Sequence, residues 1–212
     1  VIGEAHTLSQ LQWAVLRLAF AACSHVRLGE SAWTIGADMD VISIVGDRLL
    51  SIARARLPGR IWEAARSGDA ALLRTHLELG ADVNDANHAD AMNPTPLFIA
   101  SRVGHAAAVE VLLSRKADVT LQNCRASECL MVAAQSGYAK IVAQLIRMPV
   151  TVDLQNYEGS TALAMAAQKG HRETVILRGQ AGANKRHRGK GRTPAQWAER
   201  NDHLAIVEYL AG

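Results

Sequence analysis

A glycine recurs at positions 68, 104, 137 and 170, with Asp202 in the same place near the end, at spacings of 36, 33, 33 and 32 residues. Four residues before each anchor stand Ala64, Ala100, Ala133, Ala166 and Ala198. Five residues after it stand Leu73, Val109, Val142, Val175 and Val207; seven before it stand Ile61, Leu97, Leu130, Leu163 and Ala195. Self-similarity at such a period marks supersecondary units that stack on one another. An alanine kept in one slot marks where two helices approach too closely for a larger side chain. Branched aliphatics kept in another slot mark the core between units.

Each copy reads as two short helices. Pro96 and Pro194 fall in a first turn, where the missing N–H costs nothing, and Thr95 and Thr193 before them are N-caps. The anchor glycine ends the first helix in a left-handed conformation. The second helix carries the aliphatic slots. A turn follows at Gly80-Ala81-Asp82, Lys116-Ala117-Asp118 and Gly182-Ala183-Asn184, and a short extended stretch leads to the next copy. The start at Thr95-Pro96-Leu97, the paired alanines, Gly104-His105, the aliphatic run and Gly80-Ala81-Asp82 together resemble the ankyrin repeat. The resemblance covers residues 59–212 in five copies, approximately 59–90, 91–123, 124–156, 157–188 and 189–212. It implies an all-α solenoid of helix pairs, L-shaped in section, with β-hairpin fingers along one edge. It also implies a protein-binding role.

Several positions depart from the family pattern. Trp62, Phe98, Met131, Ala164 and Gln196 stand where the family carries a histidine. His76 and Arg178 occupy a slot filled elsewhere by Leu112, Leu145 and Leu210, and Gly179 replaces the aliphatics Leu113 and Ile146. The second helix of the fourth copy is therefore expected to be weakened or shifted. Pro149 replaces the turn glycine of the third copy. The first and last copies act as caps with polar outer faces.

Residues 1–58 show no such repeat. Leu11–Leu28 is apolar on nearly every face and reads as a buried helix, broken by Arg17 and too short of continuous apolar length for the about 18 residues of a membrane span. A second helix runs from Asp40 to about Arg56 and ends at Leu57-Pro58-Gly59. This segment is expected to form a helical extension that covers the first repeat, since the end of a stack otherwise exposes its apolar face. Aromatics make up only 4% of the chain, so Ala, Leu, Val and Ile must build the core. Three cysteines, Cys23, Cys124 and Cys129, are too few and oddly spaced for a disulfide framework. They point to a reducing, intracellular compartment.

Charge is unevenly placed. The net +3 arises entirely in residues 184–212, which hold six basic residues against three acids. Five of them, Lys185, Arg186, Arg188, Lys190 and Arg192, crowd the last finger beside His187, Gly189 and Gly191. Such density attracts anions. No aromatic interleaves the charges, as base stacking would require, so an acidic protein surface is favoured over nucleic acid. At the other end the first finger carries the insertion and holds Asp85, His88 and Asp90. These three residues read as polar partner contacts in a hydrophilic finger rather than metal ligands. A finger edge that is acidic at one end and basic at the other orients a partner. No G-x-S-x-G, P-loop or dinucleotide fingerprint is present. The reading is a monomeric, non-catalytic binding scaffold without cofactor or metal. The alternatives are an anionic-ligand or nucleotide site using Trp197, Arg192 and Lys190, or the interaction domain of a larger enzyme.

Overall fold

Thr95 shows how local signals set up a helix pair. Its Oγ1 accepts the backbone N–H of Phe98 at 3.2 Å, Pro96 opens the helix, and Gly104 closes it at φ 99°. The computed structural model describes residues 60–123 and 128–211, and these form ten helices. They are α1 (Ile61–Ser67), α2 (Ala70–Glu78), α3 (Pro96–Val103), α4 (Ala106–Ser114) and α5 (Cys129–Ser136). They continue with α6 (Ala139–Leu145), α7 (Ala162–Lys169), α8 (Arg172–Gln180), α9 (Pro194–Arg200) and α10 (Leu204–Ala211). Thr161 caps α7 as Thr95 caps α3, and Thr193 completes a reciprocal capping box with Gln196 on α9. The expected helices at 11–28 and 40–56, and Cys23 and Cys124, lie outside the described residues.

The described residues fall into two units, one holding Arg74–Ala81 and the other Ile61–Leu73 with the described residues from Asp82 onward. In the second unit the first helices form one layer, α1 on α3 on α5 on α7 on α9. The second helices form another, α4 on α6 on α8 on α10. The alanine slot is buried in all five copies, and the aliphatic slot is buried from Leu73 to Val175. Each fully buried Leu or Val contributes about 1.5–3 kcal/mol, so the repeated slots supply much of the cohesion. The last repeat is less sealed: Leu204 stands 72% exposed on α10, so that face is not wholly polar. In the first unit, His76 on α2 is buried and its Nε2 has no hydrogen-bond partner among the described residues.

The anchor glycines carry a second constraint besides their positive φ. The residue after each anchor lays its ring over the anchor of the preceding repeat: His105 on Gly68, Tyr138 on Gly104, His171 on Gly137 and His203 on Gly170. A β-carbon at any of these glycines would overlap the ring. His105 Nε2 and His171 Nε2 also donate to the carbonyls of Arg66 and Gln135, each at 3.0 Å. Gly137→Ala is therefore expected to combine left-handed strain with overpacking. It should lose about 2–4 kcal/mol in a urea unfolding series. A loss below about 0.5 kcal/mol, the range of an ordinary surface substitution, would remove the ring contact from the account.

Two expectations need correction. The second helix of the fourth repeat is not shortened; α8 spans nine residues, as α4 does, and packs between α6 and α10. Gly179 leaves room for Tyr209, whose hydroxyl donates to the Ile176 carbonyl at 3.4 Å. Arg178 takes the leucine slot fully buried, and its Nη2 donates to the Val152 carbonyl. The fingers also carry no regular strand among the described residues. They are built from turns, with one isolated antiparallel bridge between Gly189 and Arg192. Side chains link successive fingers in place of a ladder: the Asp118 N–H donates to Asn84 Oδ1, and the Asn184 N–H donates to the Asp153 carboxylate.

Candidate functional site

The basic finger begins where the Asn184 side chain accepts the Arg186 N–H at 2.9 Å, an Asx turn that starts the excursion. Its tip is a two-residue reversal. Gly189 and Arg192 exchange backbone hydrogen bonds of 3.0 and 3.2 Å around Lys190 and Gly191, which have φ of 51° and 76°. Two consecutive positive φ values are the signature of the turn that suits a twisted hairpin. The finger is fastened to its neighbour. His187 Nε2 meets the Gly159 carbonyl at 3.3 Å, and Lys190 Nζ lies 2.8 Å from Glu158 Oε2. A β-carbon on Gly189 would stand 2.6 Å from the Gly159 oxygen, so this glycine permits backbone contact between fingers rather than approach to a ligand.

The five cations of this finger fall into different environments. Lys185 turns inward, with Nζ 4.7 Å from the Tyr209 ring and donating to the Tyr209 carbonyl. The Arg192 guanidinium stacks 5.1 Å from the Trp197 ring, while the Trp197 indole N–H donates to the Gly189 carbonyl at 3.2 Å. Lys190 is paired with Glu158. Arg186 and Arg188 are exposed and have no side-chain partner among the described residues. Arg200 on α9, not singled out by the sequence, joins Lys190 and Arg192 along a groove of about 640 Å³ that Gln196 and Glu199 also line. Helical spacing from Gln196 to Arg200 was the available signal for it. Tyr157, next to Glu158 on the adjacent finger, is 80% exposed and carried no signal in the repeat pattern.

The acidic finger is organised locally. Asp90 Oδ1 accepts the Met92 N–H at 2.9 Å, and its Oδ2 is 4.0 Å from Arg66. His88 is exposed and Asp85 half-buried. Among the described residues no three His, Cys, Asp or Glu side chains gather as metal ligands would. Cys129 is buried on α5 and donates to the Val119 carbonyl. Burial pushes its thiol up to about 12, so it is no nucleophile at neutral pH. Beside it lies Glu128, a residue the sequence reading passed over. It is buried at the start of α5 with its carboxyl pushed up to about 7, chiefly by burial and against the pull of Arg178.

Stacked helix pairs joined by polar, turn-built fingers define a helical repeat protein. Its model, described as ankyrin repeats (3 copies), matches residues 61–150 and 130–212, and the chain belongs to the ankyrin-repeat family. Members of that family generally serve as protein–protein interaction modules and are typically non-catalytic. No match is found among curated proteins. No helix among the described residues is long and apolar enough to cross a membrane.

Proposed function

We propose that this chain is a non-catalytic scaffold that holds an acidic protein partner across the fingers and the first helices beside them. The observation that carries this reading is the pair Arg186 and Arg188, exposed and unpaired on a finger that His187 and Lys190 fasten to its neighbour. A fastened finger presents its charges with little loss of conformational entropy on binding. Asp85, His88 and Asp90 stand on the first finger, so partner contact there orients the complex, while the basic finger supplies the attraction. The low cysteine count favours a reducing compartment inside the cell as the setting of this function.

Capture of a partner from native lysate by the full chain, at low and high salt, tests the reading. The Arg186→Glu/Arg188→Glu variant leaves the stacked Lys185 and Arg192 intact. It is expected to lose the salt-sensitive partner, as is the triple variant that adds Arg192→Glu. Capture equal to wild type by both variants would remove the basic finger from the function.

A further inference from the structure

The groove beside the last finger holds more than a diffuse charge. Its lining of Lys190, Arg192 and Arg200 against Glu199 leaves an excess of two positive charges. Arg192 is pre-positioned by stacking on Trp197. Gln196 spends its Oε1 on the Thr193 N–H at 3.0 Å, which leaves its amide NH2 as a donor. Arg200 is exposed on α9. The remaining wall, Lys190, sits at φ 51°, a conformation that asparagine or glycine adopts with less strain. The two-residue turn with Gly191 imposes this φ and fixes where the Lys190 backbone stands beside the groove.

Lys190 already holds a carboxylate. Glu158 of the neighbouring finger lies 2.8 Å from it, and the two side chains are 47% and 60% exposed. Pairs this exposed are weak and exchange readily with carboxylates from outside. Tyr157, which precedes Glu158 in the chain, is 80% exposed, and tyrosine is among the residue types enriched at binding hot spots. We infer that the groove receives the acidic side chains of an Asp/Glu-rich polypeptide segment, and that Glu158 is an internal competitor occupying Lys190 until such a segment arrives. This deepens the scaffold reading and rests on it, by assigning the partner's chemistry and adding Gln196, Arg200 and Glu158 to the contact.

The test is fluorescence anisotropy of the full chain with a labelled twelve-residue peptide of alternating Asp and Glu. A matched Asn/Gln peptide and a twelve-nucleotide oligothymidylate serve as the comparison probes. Circular dichroism confirms that each variant folds. The acidic peptide is expected to bind in a salt-dependent manner and the neutral one not at all. Glu158→Gln is expected to tighten binding by about 2–5-fold and Arg200→Gln to weaken it by about 3–5-fold, the range of single exposed charge contacts. Unchanged or weakened binding in Glu158→Gln would overturn the competitor role. Oligothymidylate binding as tight as the acidic peptide would assign the groove to nucleic acid and overturn the inference. If Arg186→Glu/Arg188→Glu abolishes partner capture while the Glu158 and Arg200 variants bind the peptide as wild type does, the scaffold reading stands and the groove falls. The opposite pattern keeps the groove and removes the finger.

Discussion

Arg178→Ala is expected to destabilise the protein by about 3–5 kcal/mol in urea unfolding, the usual cost of breaking a buried charge arrangement from one side. Arg178 is fully buried on α8, and burial pulls its guanidinium below the ordinary arginine range while Asp153 and Glu128 hold it up. Removing it takes the donor from the Val152 carbonyl and leaves Glu128 buried without its opposing cation. Yet the arginine is itself costly, because its Nε and Nη1 are buried with no partner among the described residues. The double variant Arg178→Leu/Glu128→Gln should therefore move the other way, by about 1–4 kcal/mol above wild type. Leucine already fills this slot as Leu145 and Leu210 in the neighbouring repeats. A double variant less stable than wild type would show that the buried charges are net stabilising here.

Stability should also fall as pH rises from about 5 to about 8, and Glu128→Gln should abolish that fall. Burial raises the Glu128 carboxyl from 4.5 to about 7; Arg178 opposes the rise and the Asp118 carboxylate adds to it. Asp118 itself stays ionised through this window, because the Thr120 hydroxyl and N–H donate to it and hold it below the usual range. The sign follows from proton uptake. With the folded value above the unfolded one, folding binds a proton between the two. The contribution is thus fully present below 4.5 and lost as pH passes through about 7. At 1.36 kcal/mol per pH unit the full loss is about 3 kcal/mol. Urea unfolding of wild type and Glu128→Gln at pH 5, 6, 7 and 8 measures it. Parallel pH profiles for the two proteins would place the effect on another group.

Much of the architecture was legible in the sequence because each slot is sampled five times under the same constraint. Ala64, Ala100, Ala133, Ala166 and Ala198 meet equivalent neighbours, so one pattern of close approach could be read five times over. Thr95 and Thr193 were legible as caps because capping is settled within four residues. The fate of the fourth repeat was not. Arg178 and Gly179 looked disruptive on their own, and only the arrival of Tyr209 from the next repeat shows why α8 persists. Glu128 gave no warning either, since the charges that act on it, Arg178 and Asp118, lie in other parts of the chain.

The sequence by itself determined the helix pairs, their order, and the crowding of Lys185, Arg186, Arg188, Lys190 and Arg192 into one finger. These follow from local periodicity and from the identity of adjacent residues. Which of those charges face outward was decided only by the tertiary structure. Tyr209 takes Lys185, Trp197 takes Arg192, and Glu158 of the neighbouring finger takes Lys190. Arg186 and Arg188 stay exposed, with no side-chain partner among the described residues. The physical reason is that a charge's availability depends on what stands within a few ångströms of it, and here those neighbours come from other helices and another finger.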